Sequence, residues 1–276
     1  MATSAPSTPA VAELWPGGEL PPSLREPAPG ARVVLYLHGG AFLFDEEPDL
    51  YAVRVAAALD RPVLMLHYRV GAENPFPAAS DDTIAAYRLL LDAGWAPGDI
   101  LVLGHSAGGT LGLTLLTRSS EHGLPIPAGV VSLSAFLDFT LTQQSLADND
   151  GLDQITPAQA HRVGPMYTGS SDPGHPAVSP AVASPEVWRG APPLFLLCGA
   201  DELLRDDTLA VARSAARAGC EVELRVVAGG QHGSAQRAHP MSDRLLVELA
   251  AFAERCDDPM PAEQTWIGPS LEDMEL

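Results

Sequence analysis

Basic residues are scarce in this chain of 276 residues. Lys and Arg together number 16 against 35 Asp and Glu, so the formal net charge is −19. Nucleic acids and anionic membrane surfaces would repel such a chain, so we expect neither as a partner. Acidity of this kind also favours solubility, which accounts for it without a specific partner.

Cysteine is rare as well. The three cysteines, Cys198, Cys220 and Cys256, are widely spaced and form no C-x-x-C pair. This pattern favours reduced thiols over a disulfide framework or a zinc site. No apolar run approaches the length of a membrane span, and the N-terminus has neither the basic segment nor the apolar core of a signal peptide. We therefore expect a cytoplasmic protein.

Strand-length and helix-length segments alternate along the middle of the chain. Such alternation predicts an α/β fold, with a mostly parallel sheet flanked by helices and joined by right-handed crossovers. With 46% hydrophobic residues, a single domain over residues 32–256 is the natural interpretation of this length. The predicted strands span 32–38, 62–67, 99–104, 128–134, 193–198 and 221–227, and the predicted helices span 49–60, 78–93, 107–119, 207–218 and 240–255.

Three segments depart from this alternation. Residues 1–31 hold seven prolines and little periodicity, which predicts a flexible or extended N-terminal arm. Residues 140–191 are polar and rich in Pro and Gly around one helical candidate, 156–167, and they interrupt the domain as an insertion. Residues 257–276 form an acidic C-terminal tail in which Trp266 is one of two main apolar anchors.

The segment Gly104-His105-Ser106-Ala107-Gly108 carries the clearest chemical signal. It follows the apolar run 100–103, typical of a buried strand, and precedes the apolar run 109–116, long enough for a helix. Strand, tight turn and helix are the context of a G-x-S-x-G nucleophile elbow. Glycines beside the serine allow strand and helix to approach closely and allow a strained turn. Ser106 is therefore a candidate nucleophile.

Two further segments could supply the oxyanion hole and the general base that a nucleophilic serine needs. His38-Gly39-Gly40-Ala41-Phe42 follows a predicted strand, and its consecutive glycines leave backbone N–H groups unshielded, as an oxyanion hole requires. His232 lies in a Gly-rich loop after the last predicted strand, where an imidazole can serve as general base. In the α/β-hydrolase order the acid lies between the nucleophile and the histidine. This order predicts an acid after strand 193–198, where Asp201 and Glu202 are adjacent.

Together these segments resemble the hormone-sensitive-lipase-like branch of the α/β hydrolases, bacterial esterases related to arylacetamide deacetylases. The resemblance covers about residues 32–256. It rests on His38-Gly39-Gly40-Ala41-Phe42, Tyr68-Arg69, Asn74-Pro75-Phe76-Pro77-Ala78-Ala79, Gly104-His105-Ser106-Ala107-Gly108-Gly109, Glu202-Leu203-Leu204-Arg205-Asp206-Asp207 and His232-Gly233.

The resemblance implies a set of site residues. Ungapped placement on the family pattern puts Glu202 rather than Asp201 in the position of the catalytic acid, beside Ser106 as nucleophile and His232 as base. The implied oxyanion-hole donors are the N–H groups of Gly39, Gly40 and Ala107. His38 is expected to be a structural hydrogen-bonding residue, and the Tyr68-Arg69 segment is expected to brace the active-site loops.

The chain also departs from the family pattern. Ala41 stands where relatives have a third glycine, so we expect a negative φ there. His105 stands where relatives commonly carry Asp or Thr, and we expect it to pack beside the elbow. Relatives have several tens of residues more before the His-Gly-Gly segment. The resemblance therefore implies a reduced cap, built from the insertion 140–191.

The sequence thus predicts a serine hydrolase that cleaves carboxylic esters of small molecules through an acyl-enzyme intermediate. It needs no cofactor and no metal. Two alternatives stay open: an amide deacetylase or other tailoring enzyme of small-molecule biosynthesis that uses the same triad, and a ligand-binding module that kept the fold and lost turnover.

Overall fold

Seven parallel strands form the central sheet of the computed structural model, which describes residues 10–46, 49–237 and 240–257. The strand order is β1-β3-β2-β4-β5-β6-β7, and every pairing is parallel. The strands are β1 (Val11–Leu14), β2 (Val33–Leu37), β3 (Val63–Leu66), β4 (Ile100–His105), β5 (Gly129–Leu133), β6 (Leu194–Gly199) and β7 (Val222–Val227).

Helices cover both faces of this sheet. The helices α1 (Leu50–Leu59) and α7 (Pro240–Asp257) pack on one face. The helices α2 (Ala78–Asp92), α3 (Ala107–Ser119) and α6 (Arg205–Arg217) pack on the other. Strands β2 to β6 are therefore buried along their whole length. Burial on two faces explains why they are continuous apolar runs rather than alternating ones.

The α/β architecture predicted from the sequence is confirmed. Each predicted strand and helix is present, with bounds shifted by two residues at most. The apolar runs carried this information because a parallel strand buried on both faces has almost no polar positions.

The predicted N-terminal arm contains a strand that its sequence did not reveal. Residues Val11–Leu14 form β1, which pairs with β3 at the edge of the sheet. Further along, Leu20 and Leu24 are buried in the core, and the indole N–H of Trp95 donates to the Leu24 carbonyl at 2.9 Å. The sequence did not predict β1 because prolines and glycines flank it. In addition, four residues are too few to show the alternation of a strand.

The insertion between β5 and β6 folds as short helices over the carboxyl ends of the strands. It comprises α4 (Ser145–Asp148), α5 (Pro157–Thr168) and two short 3₁₀ turns, Pro180–Val182 and Pro185–Trp188. A capping box between Thr156 and Gln159 begins α5, which corresponds to the helical candidate in the sequence. The predicted tail beyond residue 257 lies outside the described residues. None of the described helices combines the length and apolarity that crossing a bilayer would need.

Candidate active site

Ser106 lies at the turn between β4 and α3, in a strained backbone conformation. Its φ is 51° and its ψ is −120°, a backbone conformation that residues with a Cβ rarely adopt. Two glycines make this turn possible. A Cβ on Gly104 would lie 2.2 Å from the Gly108 carbonyl oxygen, and one on Gly108 would lie 2.0 Å from the Leu37 carbonyl oxygen. The elbow therefore needs glycine for close approach of the backbone.

The hydroxyl of Ser106 meets the imidazole of His232. Ser106 Oγ lies 3.0 Å from His232 Nε2, although 126 positions separate the two residues in the sequence. His232 reaches the serine from the loop after β7, and its side chain is 18% exposed. A hydroxyl at this distance from an imidazole can pass its proton to the ring.

The other imidazole nitrogen faces Glu202. Glu202 Oε2 lies 3.8 Å from His232 Nδ1, and neither atom has a hydrogen-bond partner among the described residues. The carboxylate is held from behind, because its Oε1 accepts the hydroxyl of Ser134 at 2.6 Å and the N–H of Gly199 at 2.7 Å. At 3.8 Å the two atoms are not hydrogen-bonded, and such catalytic contacts often tighten only when substrate binds.

Asp201, the alternative acid, lies in a different setting from Glu202. Its backbone N–H donates to the Gly230 carbonyl, and within the described ranges its side chain forms no ion pair with His232. Glu202 is 1% exposed, whereas Asp201 is only half-buried. The geometry therefore favours Glu202 as the partner of the imidazole.

The loop after β2 forms a short left-handed turn. Gly40, Ala41 and Phe42 have φ values of 89°, 55° and 60°, and the N–H groups of Leu43 and Phe44 both donate to the Gly40 carbonyl. The expectation of a negative φ at Ala41 is therefore wrong. The left-handed region costs about 1–2 kcal/mol for a residue with a Cβ. The two hydrogen bonds of the turn and the packing of Phe42 against Tyr167, with ring centroids 3.8 Å apart, offset that cost.

A cavity of about 720 Å³ opens onto Ser106, His232, Gly40 and Ala41. Within the part of the chain that the structure describes, the N–H groups of Gly40 and Ala41 donate to no backbone carbonyl. Gly39 does not line this cavity, and a Cβ there would lie 2.6 Å from His105 Nε2. Of the two loop glycines predicted as oxyanion donors, Gly40 is thus the one that shares the cavity with Ser106.

His105 is buried beside the elbow, as expected, and polar groups face both of its ring nitrogens. Its Nδ1 lies 3.2 Å from the hydroxyl of Tyr36, and its Nε2 lies 3.3 Å from Glu46 Oε2. The hydrogen bond with His105 lowers the pKa of Glu46, which keeps that carboxylate ionised at the cavity wall.

The sequence pattern described as "alpha/beta hydrolase fold" matches residues 34–236. The chain belongs to the α/β-hydrolase fold family. A solved esterase of the bacterial hormone-sensitive lipase family superposes on this α/β hydrolase with a TM-score of 0.78 and 33% identity, covering 83% of this chain and 79% of that one. An esterase/lipase from an uncultured bacterium gives a TM-score of 0.77, 31% identity and the same coverage. The resemblance stated from the sequence motifs is confirmed.

Curated relatives of this α/β hydrolase are named for ester or acetyl cleavage. An acetyl-hydrolase of Streptomyces hygroscopicus is 36% identical over 194 residues, which make up 69% of this chain and 64% of that protein. An esterase of Acinetobacter venetianus is 28% identical over 240 residues, 85% of this chain and 78% of that protein. The match thus spans less than two thirds of the acetyl-hydrolase.

The sequence did not reveal the side chains by which the insertion binds the loops after β6 and β7, which carry Glu202 and His232. Asp153 accepts the backbone N–H of His232 and that of Leu203, both at 2.8 Å. The amide of Asn149 donates to the carbonyls of Ala200 and Glu202. Both residues lie in polar sequence without a motif, so no signal distinguished them from solvated loop positions.

The brace expected from the Tyr68-Arg69 segment is present in this α/β hydrolase. The hydroxyl of Tyr68 donates to the carbonyls of His38 and Gly39 at 2.8 and 2.7 Å. Arg69 forms a bidentate pair with Asp82 at the start of α2. These bonds fix the ends of β2 and β3, next to the loop that contains Gly39 and Gly40.

Proposed function

We propose that this chain is a serine hydrolase that cleaves carboxylic esters of small molecules. The observation that carries the proposal is the 3.0 Å contact between Ser106 Oγ and His232 Nε2, at the wall of a cavity of about 720 Å³. The membership of the α/β-hydrolase fold family and the names of the relatives support it.

The proposed reaction has two halves that use the same residues. Ser106 Oγ attacks the ester carbonyl carbon while His232 Nε2 takes the hydroxyl proton, and the imidazolium then protonates the departing alcohol. Water attacks the acyl-enzyme, His232 takes its proton, and the acid leaves as Ser106 regains the hydrogen. Ser106 supplies the nucleophile, His232 moves the protons and backbone N–H groups stabilise the oxyanion, so the proposed reaction calls for neither a metal nor a redox cofactor.

The roles of the remaining residues are proposed in the same way. Glu202 orients His232 and stabilises the imidazolium, supported by its burial and by its clamp from Ser134 and Gly199. The N–H groups of Gly40 and Ala107 stabilise the oxyanion, with Ala41 beside Gly40 in the cavity wall. Gly39 was predicted as a further donor, and it stays a prediction.

The expected substrates are esters with a short acyl group. Support comes from the relatives named acetyl-hydrolase and ethyl acetate hydrolase. We also propose a cytoplasmic location. The widely spaced cysteines support it: Cys198 and Cys256 are buried, and burial raises the pKa of each thiol to about 12, which suits inert reduced thiols.

A fluorophosphonate probe tests the proposed nucleophile directly. We expect one covalent adduct, located on Ser106 by peptide mass spectrometry, together with hydrolysis of a p-nitrophenyl short-chain ester. Ser106→Ala should lose both, and the exposed Ser170→Ala should keep both. A wild-type chain that is folded but neither labelled nor active would instead favour a ligand-binding module.

A further inference from the structure

Two imidazoles and one carboxylate converge beside the oxyanion loop, outside the proposed triad. His38 follows β2 and His67 follows β3, and these neighbouring strands pair in register. Asp45 Oδ1 lies 3.2 Å from His38 Nε2 and 2.8 Å from His67 Nδ1. The proposed hydrolysis uses none of the three side chains.

The contact between His38 and Asp45 is not an ordinary hydrogen bond. His38 Nδ1 lies 2.9 Å from the Gly39 carbonyl oxygen. A carbonyl oxygen only accepts, so Nδ1 carries the ring hydrogen and Nε2 presents a lone pair. This Nε2 belongs to a side chain with 0% exposure, faces a carboxylate oxygen and has no hydrogen-bond partner among the residues that the structure describes. Two acceptors at 3.2 Å repel one another unless a positive charge lies between them.

Both imidazoles are held in place before any ligand arrives. The ring of Tyr68 stacks on His38 with centroids 4.2 Å apart, and the ring of Trp15 stacks on His67 at 4.3 Å. The bond from His38 Nδ1 to a backbone carbonyl is the outer contact that histidine ligands of metals usually make, because it fixes the tautomer and the ring orientation. This is the arrangement of a built coordination site.

We propose that His38 Nε2, Asp45 Oδ1 and His67 Nδ1 bind a divalent transition-metal ion, with Zn²⁺ as the representative. Neighbouring ligand atoms of a tetrahedral Zn²⁺ lie about 3.3 Å apart when each bond is about 2.0–2.1 Å. The distance between His38 Nε2 and Asp45 Oδ1 already fits, the 2.8 Å between Asp45 Oδ1 and His67 Nδ1 has to open slightly, and all three atoms lie within 4.8 Å of one another. The side chain of Asp45 is 36% exposed, which gives the ion access and leaves the fourth position to water.

Coordination replaces a proton with the metal. His67 Nδ1, which now donates to Asp45, loses its hydrogen to solvent when it becomes a ligand. The ion is structural and takes no part in ester cleavage, for which we expected no metal. It joins the residue before the oxyanion loop, His38, and the residue after the left-handed turn, Asp45, to the end of β3, so it fixes both ends of the loop that carries Gly40.

Metal binding by the full chain tests the site without any substrate. After treatment with a chelator and its removal, titration with Zn²⁺ should give one ion per chain by calorimetry, and a higher melting temperature. Co²⁺ should give the visible absorption of a four-coordinate nitrogen and oxygen site. Asp45→Asn and His67→Gln should each weaken Zn²⁺ binding by at least about 100-fold, since even outer-shell changes weaken metal sites by about 10–100-fold.

Two control variants define the site. His161→Gln removes an exposed histidine in α5 and should leave Zn²⁺ affinity unchanged. Glu46→Gln alters the neighbouring cluster of Glu46, Asp49 and His105 and should also leave it unchanged. The proposal is overturned if the wild-type chain binds neither Zn²⁺ nor Co²⁺, or if His161→Gln removes the binding. It is also overturned if Glu46→Gln abolishes binding while Asp45→Asn keeps it. Should Asp45→Asn fail to fold, His67→Gln and the Co²⁺ spectrum of the wild type decide the question.

Discussion

At the scale of single residues, the geometry adds most to the sequence at the proposed catalytic acid. Asp201 and Glu202 are adjacent, and both have the right chemistry. Only Glu202 is buried, clamped by two donors and turned toward His232. The sequence could narrow the acid to two neighbours because it follows a predictable strand. It could not show the clamp, because Ser134 comes from a different strand end, 68 positions away.

We predict that Glu202→Gln lowers kcat by about four orders of magnitude, as loss of a triad acid does when the histidine loses its orienting charge. Asp201→Asn should retain most of the activity, because the carboxylate that lies 3.8 Å from His232 Nδ1 is that of Glu202. Steady-state kinetics of both variants on one soluble ester measure the difference. Comparable losses in the two variants, or the reverse order, would move the acid to Asp201.

Asp153 is predicted to be a positioning residue for the histidine. Asp153→Ala removes the acceptor for the backbone N–H of His232, so the imidazole is held less well against Ser106. A displacement of about 1 Å lowers kcat by up to about 100-fold. We therefore expect kcat to fall with KM little changed, while the exposed neighbour Asp150→Ala behaves as wild type. An Asp153→Ala enzyme with unchanged kcat would show that the loop after β7 keeps His232 in position without Asp153.

At the scale of elements, the strands were predictable and the turns were not. Apolar runs located β2 to β6 because burial on both faces leaves little else in their sequence. The left-handed turn over Gly40, Ala41 and Phe42 was missed because Ala and Phe rarely adopt positive φ. Hydrogen bonds from Leu43 and Phe44 to the Gly40 carbonyl and the stacking of Phe42 on Tyr167 override that local preference, and the stacking depends on a residue distant in the sequence.

The elbow gives a matched pair of glycine substitutions within one helix. Gly108→Ala places a methyl group 2.0 Å from the Leu37 carbonyl oxygen, a rigid backbone atom, so we expect destabilisation by more than about 4 kcal/mol or an insoluble chain. Gly112→Ala meets only side-chain atoms, of Val130 at 3.4 Å, Val102 at 3.5 Å and Leu37 at 4.0 Å, and alanine is the better helix former by up to about 1 kcal/mol. Urea unfolding of both variants measures the difference. Equal stabilities would contradict the close packing of α3 on β2.

At the scale of the whole molecule, the insertion and the main domain form one hydrogen-bonded unit. Asn149 and Asp153 bind the loops after β6 and β7, so the insertion also fixes the loops that carry Glu202 and His232. The sequence located the insertion by its change of composition. Its contacts with the triad loops are long-range, between residues about 50 to 80 positions apart, and no local pattern encodes them.

The N-terminal segment tests where the folded unit begins. Composition predicted an arm up to residue 31, yet Leu24 is 1% exposed and shares the core with Trp95. Truncating a buried leucine leaves a cavity, so Leu24→Ala should lower the free energy of unfolding by about 2–5 kcal/mol. Val247→Ala, at a position on α7 that is 69% exposed, should change it by less than about 0.5 kcal/mol. If denaturant unfolding gave the same small change for both, the segment would be a dispensable arm after all. A large difference places the start of the hydrolase domain before Leu24, so that a chain cut at residue 31 would lose a strand and part of its core.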